Sequence, residues 1–451
     1  MFISRRSALK SILSVISYLS LSKFSLGSNQ NLAGKNVIVI GAGISGLSAA
    51  STLKQQGANV IILEAKNYIG GRIKTNRSLG SPFEYGAGWI HGPSKENPIR
   101  NLADRTNSSL FVTDDDSCEL LNLSGNDIDE KVWDEIEEIW EEIIYDEIYS
   151  DTEGSILDAI NEYDSNIWSD PNIRWVFSAY EEFNYGGPVH EISAGLIKEM
   201  SGFPTADVIF KDGYDKIINL LAKNLQIQNN SIVKSVNYSS NNITVSTTSK
   251  NYECDYVICS VPLGVLKFNS IEFNPALPRY KQESIEKVGF GTVTKLALKF
   301  KDQFWDSDVQ YYYTVAKETG RWPVWMNYRT FSKEKILMGL CMGDYAKKAD
   351  LMSTEELIED GLKVLKNVWE DDVGEVQNVL RTSWLNDPFT KGAYSFPKVD
   401  NSEEDFENLA ESVDNRLFFC GEHTDLEYLA TTHGALFTGI RAAKEVIKAN
   451  K

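Results

Sequence analysis

The chain is poor in the residues that build metal and disulfide scaffolds. Its 451 residues include five cysteines and four histidines. Cys118, Cys254, Cys259, Cys341 and Cys420 are scattered, with no CxxC and no Cys/His pair at ligand spacing. That excludes a zinc module, so no metal is expected. Several cysteines lie in apolar, strand-like runs such as YVICSVP and RLFFCGE, where they act as small buried hydrophobes. No disulfide framework is expected. Basic charge is also short: Lys and Arg total 45 against 64 Asp and Glu, a net charge of −19. No basic patch is present to neutralise phosphates, which argues against nucleic acid as a partner. A negative field of this kind attracts a small cation, or serves solubility alone. Long apolar runs are missing. SILSVISYLSLS near the N-terminus is too short and too rich in serine for a stable membrane span. There is no internal repeat and no low-complexity linker.

What is present fills large cores. The hydrophobic fraction is 42%, with ten Trp, twenty Tyr and twenty Phe, and the length suits two or three domains at about 150 residues each. The first 27 residues stand apart. SRRSALK precedes the mildly apolar run, and SLG at Ser25 to Gly27 is a small-x-small cleavage pattern. Together they predict a twin-arginine signal over 1–27, with Ala8 where Phe is usual. Export would place the folded protein in the periplasm or outside the cell. If the segment is only a basic, disordered terminus, the protein stays in the cytoplasm.

The stretch KNVIVIGAGISGLSAASTLKQQGANVIILEAK reads as strand, tight turn, helix, strand. Val37 to Ile40 are all apolar, as a buried parallel strand requires. Gly41, Gly43 and Gly46 form G-x-G-x-x-G. The first makes the turn, the second lets backbone approach a pyrophosphate, and the third lets helix and strand pack closely. The helix, with Ser45 near its start, points its N-terminus at the phosphates. A second strand, Val60 to Leu63, ends at Glu64 and Ala65, where an acid binds ribose hydroxyls. With both strands, the helix and the acid in place, the pattern predicts a dinucleotide site.

EAKNYIGGRIKT follows at once. Gly70 and Gly71 give a second glycine pair, and Arg72 a fixed cation with donors suited to pyrophosphate or carbonyl oxygens. This stretch resembles the FAD signature of the flavin-containing amine oxidase family, which phytoene desaturases and protoporphyrinogen oxidases share. The C-terminus adds to the likeness. A strand ends at Gly421 and Glu422 in GEHT, and THGALFTGIRAAKEVI begins a helix, similar to the family's second FAD motif. FKDGYDKIINLLAKNLQIQNNSIVKSV, with a turn at Gly213, and YECDYVICSVPLGVLK, read as one buried strand, look like its central FAD segment. By resemblance, Glu422 meets the ribityl or phosphate part of FAD and the backbone of Val233 meets the adenine. The N–H at Thr432, where the family often has Val, faces the pyrimidine edge, helped by the helix N-terminus. Trp384 packs near the flavin or is plain core. The implied fold is α/β, with a Rossmann-type FAD-binding domain assembled from distant segments (35–110, 206–270 and 384–451). A mixed sheet-plus-helices substrate-binding domain joins a helical part (111–205) to a sheet part (271–383). In the helical part, KVWDEIEEIWEEIIYDEIYSD spaces Trp133, Ile136, Ile139, Trp140, Ile143, Ile144 and Ile148 on one helical face, with the acids as a solvated face. Runs such as VQYYYTV, PVWMNYR and ILMGLCMG read as strands of the sheet part.

The resemblance also assigns catalytic roles. Lys295 sits in VGFGTVTKLALKF, which reads as an alternating strand; a charge facing inward there is costly unless paired or functional. It matches the family lysine that holds a water at flavin N5. Tyr394 in WLNDPFTKGAYSF matches one wall of an aromatic cage that orients an amine, while the second wall maps onto Thr431, which has no ring. Ala393 stands where monoamine oxidases carry a flavin-linked cysteine, so FAD is expected to bind non-covalently. GAGW (Gly86, Ala87, Gly88, Trp89) supplies backbone along the isoalloxazine. His91, in WIHGPSKENPI, matches the active-site histidine of polyamine oxidases, there to meet a substrate nitrogen or help keep it neutral. The implied reaction passes a hydride from the α-carbon of spermine, spermidine or an acetylated form to flavin N5. Dioxygen then yields hydrogen peroxide, and water hydrolyses the imine to aldehyde and amine. Other flavin amine oxidases, whether monoamine or demethylase-like, and a desaturase or porphyrinogen-oxidase type remain the alternatives.

Overall fold

The computed structural model describes residues 32–148 and 153–451; the signal expected over 1–27 lies outside the described residues. Its centre is a five-stranded parallel sheet, in the order Leu417–Phe419, Tyr256–Cys259, Asn36–Ile40 (β1), Asn59–Leu63 (β2), Gln226–Gln228. Its strands come from early, middle and late parts of the sequence. Between β1 and β2 runs α1 (Ile44–Gln55). Gly41 has φ +102°, and a Cβ on Gly46 would lie 2.1 Å from the Gly41 carbonyl oxygen. The turn therefore needs glycine at the first position for its backbone and at the third for contact. The C-terminal helix, Thr432–Ala449, lies along α1, with Ser48 Oγ donating to the Leu436 carbonyl at 3.1 Å.

A second sheet has six strands, in the order Val376–Arg381, Thr294–Phe300, Ile336–Cys341, Val324–Asn327, Tyr311–Thr314, Cys118–Leu121. It is antiparallel except for its last pair. The α/β class and the mixed second region are as expected. No helix among the described residues is long and apolar enough to cross a membrane.

Three local expectations need correction. The alternation expected around Lys295 is absent, because every residue of Thr294–Phe300 except Lys299 is buried. Helices Gly343–Leu351 and Thr354–Trp369 cover one face, packing Leu357 and Leu365 against Leu296 and Leu298. The helices between Glu130–Glu142 and Ala194–Ile197 that the structure describes cover the other, around Ala297 and Met338. YECDYVICSVPLGVLK is two strands in two sheets, Asn251–Cys254 and Tyr256–Cys259, then a helix, Leu263–Lys267. Asp255 divides the strands: its carboxylate accepts from Asn36 N and Lys35 Nζ, and its own N–H donates to the Asn36 carbonyl. Segment 111–205 is helical only from Glu130; before that it supplies Leu110–Val112 and Cys118–Leu121 as strands. The helix Glu130–Glu142 starts on the Asp129 side chain and passes into a π-helix, Ile143–Ile148.

A small three-stranded sheet matters most for the site. Trp89–Ile90 pairs with Val208–Phe210, which pairs with Leu110–Val112, all antiparallel. Ile90 and Val112 both lie opposite Val208, so His91, Asp207 and Thr113 emerge at the same end.

Candidate functional site

One cavity of about 1330 Å³ runs from the C-terminal ends of β1 and β2 to that end of the small sheet. Parallel α/β sheets hold ligands at this edge. At its first end lie Gly41, Gly43, Ser45, Glu64, Ala65, Gly71 and Arg72. Gly46 does not line it but packs behind, against Gly41. The donors here fit a pyrophosphate. Ser45 Oγ is buried with only the weakly bonding Cys420 thiol beside it, and a Cβ added to Gly43 would meet nothing within 4 Å. The start of α1 thus offers free N–H groups, a hydroxyl held only by a thiol, and open space. Glu64 Oε2 accepts from Ala42 N at 2.7 Å and Oε1 from Lys66 N at 2.8 Å, which fixes the carboxylate in the cavity wall as a ribose-binding acid would be. Burial pushes Glu64 above the usual carboxylate range. Val233 lines the same region.

The middle of the cavity is walled by Gly86, Ala87, Gly88, Trp89, Trp384, Tyr394, Gly421, Glu422, Thr431 and Thr432. Arg72 Nη1 donates to Glu422 Oε1 and to the Ala393 carbonyl, both at 2.7 Å. Burial works against the charge on Glu422, yet Arg72 holds it below the usual carboxylate range. Glu422 therefore ties the first glycine-rich segment to the last; Arg72 spends donors on protein oxygens. Thr431 caps the C-terminal helix, its Oγ1 accepting from Gly434 N at 2.9 Å, and the N–H of Thr432 is the helix's first. Thr432 Oγ1 shares a hydrogen bond of 2.9 Å with the hydroxyl of the buried Tyr214. Trp384 Nε1 donates to the Tyr85 carbonyl at 3.1 Å. Tyr394 is immobilised: its hydroxyl donates to the Phe183 carbonyl at 2.6 Å, and its ring sits where a Cβ of Gly186 would be.

Lys295 is 6% exposed and aims into the cavity from Thr294–Phe300. Its Nζ donates to the carbonyls of Gly86 at 2.6 Å and Glu84 at 3.1 Å, and lies 5.4 Å from the Trp89 ring centre. Two of three N–H donors are used, leaving one for the cavity. Burial lowers Lys295 to about 8, and the nearby Glu84 carboxylate partly offsets this. The Glu84 side chain, itself raised to about 6 by burial, accepts from Tyr214 N and Thr75 Oγ1.

At the far end, His91 Nδ1 and Asp207 Oδ2 are 2.6 Å apart. Asp114, Asp115 and Asp116 line the same end. Burial, with Asp207 adding, pushes Asp115 up to about 7. Phe183 and Tyr185, delivered by the π-helix Ser178–Glu182, also face the cavity, and Phe183 meets Trp89 edge-on at 5.6 Å. His433 lines it too, buried among Phe203 and Tyr428. None of the five cysteines is in the lining.

Glu84, Asp207, Asp115, Phe183, Tyr185 and His433 are site residues that sequence reasoning missed. Only the TDDDS run carried a visible signal, as an acid cluster soon after His91. The flavin containing amine oxidoreductase family matches residues 44–447. Polyamine oxidase 2 of Arabidopsis thaliana is 30% identical over 94% of this chain and 90% of its own length. Probable polyamine oxidase 4 of the same plant is 32% identical over 92% of the chain and 87% of its own. Lysine-specific histone demethylase 1 homolog 1, also from Arabidopsis thaliana, is 30% identical over 92% of the chain but only 52% of its own length.

Proposed function

The chain belongs to the flavin-containing amine oxidoreductase family, and from that premise we propose that it is a polyamine oxidase holding FAD non-covalently. One observation carries the reading: three carboxylates, Asp114, Asp115 and Asp116, line the end of the cavity where His91 pairs with Asp207, in the same cavity that holds Lys295. A monoamine has one nitrogen, and it must be neutral to react. Spermine or spermidine has further nitrogens that stay charged and suit these carboxylates. The open space at Gly43, the start of α1 and the fixed Glu64 support FAD at the first end. Ala393 before Tyr394, and the lack of cysteine in the lining, support attachment without a covalent bond.

When bound, FAD supplies the acceptor for the electron pair that leaves the amine's α-carbon, and dioxygen takes it on. The protein binds and orients. Tyr394, locked by the Phe183 carbonyl, presents a fixed ring to the amine, and Trp89 and Phe183 exclude water beside it. Lys295 directs its remaining N–H into the cavity, where it can hold one water. Asp115 and its neighbours draw the distal ammonium groups and so place the reacting carbon by the length of the chain between nitrogens.

The test is peroxide release by the purified protein over a panel of amines. Spermine, spermidine or their acetylated forms should exceed simple monoamines, and a methyl-lysine peptide should give none. The demethylase relatives favour one second reading. A preference for the peptide would establish it, and no oxidation of any amine would remove both.

A further inference from the structure

His91 stands on a rigid turn. Asn97, fully buried, donates to the carbonyls of His91 at 2.9 Å and Gly92 at 3.3 Å. Gly92 has φ +55°, and a Cβ there would lie 2.0 Å from the Phe203 carbonyl oxygen, so only glycine fits. The ring is fixed from the neighbouring strand of the small sheet. Asp207 Oδ2 meets Nδ1 at 2.6 Å, while Oδ1 accepts from Gly92 N at 3.0 Å. Both carboxylate oxygens are thus spent on adjacent positions, and Asp207 cannot swing away without losing both. His91 Nε2 has no hydrogen-bond partner among the described residues, and the side chain is 41% exposed and lines the cavity.

We propose that Asp207 is a positioning residue that holds the His91 proton on Nδ1, so that Nε2 accepts one proton from the incoming ammonium. This rests on the amine-oxidising reading above. The step balances simply. An N–H bond of the ammonium breaks, an Nε2–H bond forms, and the amine becomes neutral. Asp207 stays ionised and compensates the imidazolium; no electron moves. A carboxylate on one ring nitrogen fixes the tautomer and raises the basicity of the other. Burial works against charge on Asp207, but His91 holds it below the usual carboxylate range, so it is ionised at neutral pH. The other groups facing the pair are Asp115, from the loop after Leu110–Val112, and His433, from the C-terminal helix. Burial drives His433 down to about 3, so it stays neutral and does not compete.

Asp207→Asn removes the charge and leaves an amide that donates to Nδ1, which forces the proton onto Nε2. With the best amine substrate, kcat/KM should fall about 10- to 100-fold at neutral pH. The wild-type to variant ratio should shrink toward one as pH approaches about 10, where solution already supplies neutral amine. A ratio that does not change with pH would reduce Asp207 to a loop anchor and overturn the proposal. A readout without substrate separates this from a wrong substrate class. In ¹⁵N-histidine spectra of the holoenzyme, His91, assigned by its loss in His91→Ala, should carry its proton on Nδ1. A proton on Nε2 in the wild type refutes the proposal even if the variant does not fold. The predicted tautomer, with no amine turned over, would instead leave the pair intact and sink the substrate assignment.

Discussion

Lys295→Met tests the centre of the site, because it removes the ammonium and keeps the length of the side chain. The structure gives two opposing effects on stability. The change strips donors from the carbonyls of Gly86 and Glu84, and each hydrogen bond to a charged group is worth about 1.5–3 kcal/mol. It also relieves the burial of a charge. Lowering a lysine from 10.5 to about 8 corresponds to a penalty on the order of 3 kcal/mol on the charged form. The two bonds outweigh the relief by about 0–3 kcal/mol, so the variant should still fold and bind FAD, melting at or somewhat below the wild-type temperature. Catalysis should not escape so lightly: the rate of flavin reduction or of its reoxidation should fall by roughly 10²–10⁴, the usual loss for a positioned group. Stopped-flow measurement of each half-reaction reads this directly. The pH signature follows the same number. Below about 8 the folded protein holds Lys295 charged; between there and 10.5 the unfolded chain keeps a proton that the folded one has lost. Stability attributable to this residue therefore rises with pH across that window, while activity that needs the ammonium falls through about 8. The variant should lose that alkaline limb. Unchanged rates in both half-reactions would remove Lys295 from the reacting site.

Legibility in the sequence followed locality. The Rossmann turn was readable because its glycines, strands and acid lie within one short stretch, and each residue type answers a local constraint. Lys295 is legible through its match to the family lysine, whereas the second argument for it, strand alternation, is not supported by the structure. The alternation was absent, and burial on both faces, supplied by helices far along the chain, is what isolates the ammonium. Asp207 was illegible for a plainer reason. It is 116 positions from His91, and nothing but the register at Val208 brings the two together. Glu84 was hidden beside Lys295 in the same way, by a backbone carbonyl rather than a side-chain pattern. Phe183 and Tyr185 depend on a π-helix, whose shifted register no regular periodicity announces. The cofactor end was thus local and visible, whereas the substrate end is assembled by pairing between distant segments.

If FAD is non-covalent, acid or heat should release it into the supernatant; yellow colour retained on the precipitate would contradict Ala393 as the unlinked position. Asp115→Asn should lower kcat/KM for spermine about 10- to 150-fold, as for a lost bond to a charged group, and leave a monoamine nearly unaffected. Because burial raises Asp115 to about 7, the wild-type preference for spermine should weaken as pH falls through that value. Fusion of residues 1–34 to a reporter should direct export that fails when Arg5 and Arg6 become Lys, and export indifferent to that change would exclude the twin-arginine reading. The second and third glycines of the first turn separate fold from cofactor. A methyl group on Gly43 enters open space, so Gly43→Ala should keep the apo fold, read by circular dichroism, and yet bind FAD less well, because the methyl occupies room left for pyrophosphate. A methyl group on Gly46 falls 2.1 Å from the Gly41 carbonyl oxygen, so Gly46→Ala must push α1 off β1 and lower the melting temperature even without cofactor. Equal behaviour of the two variants would mean that the space beside Gly43 is not where the phosphates lie.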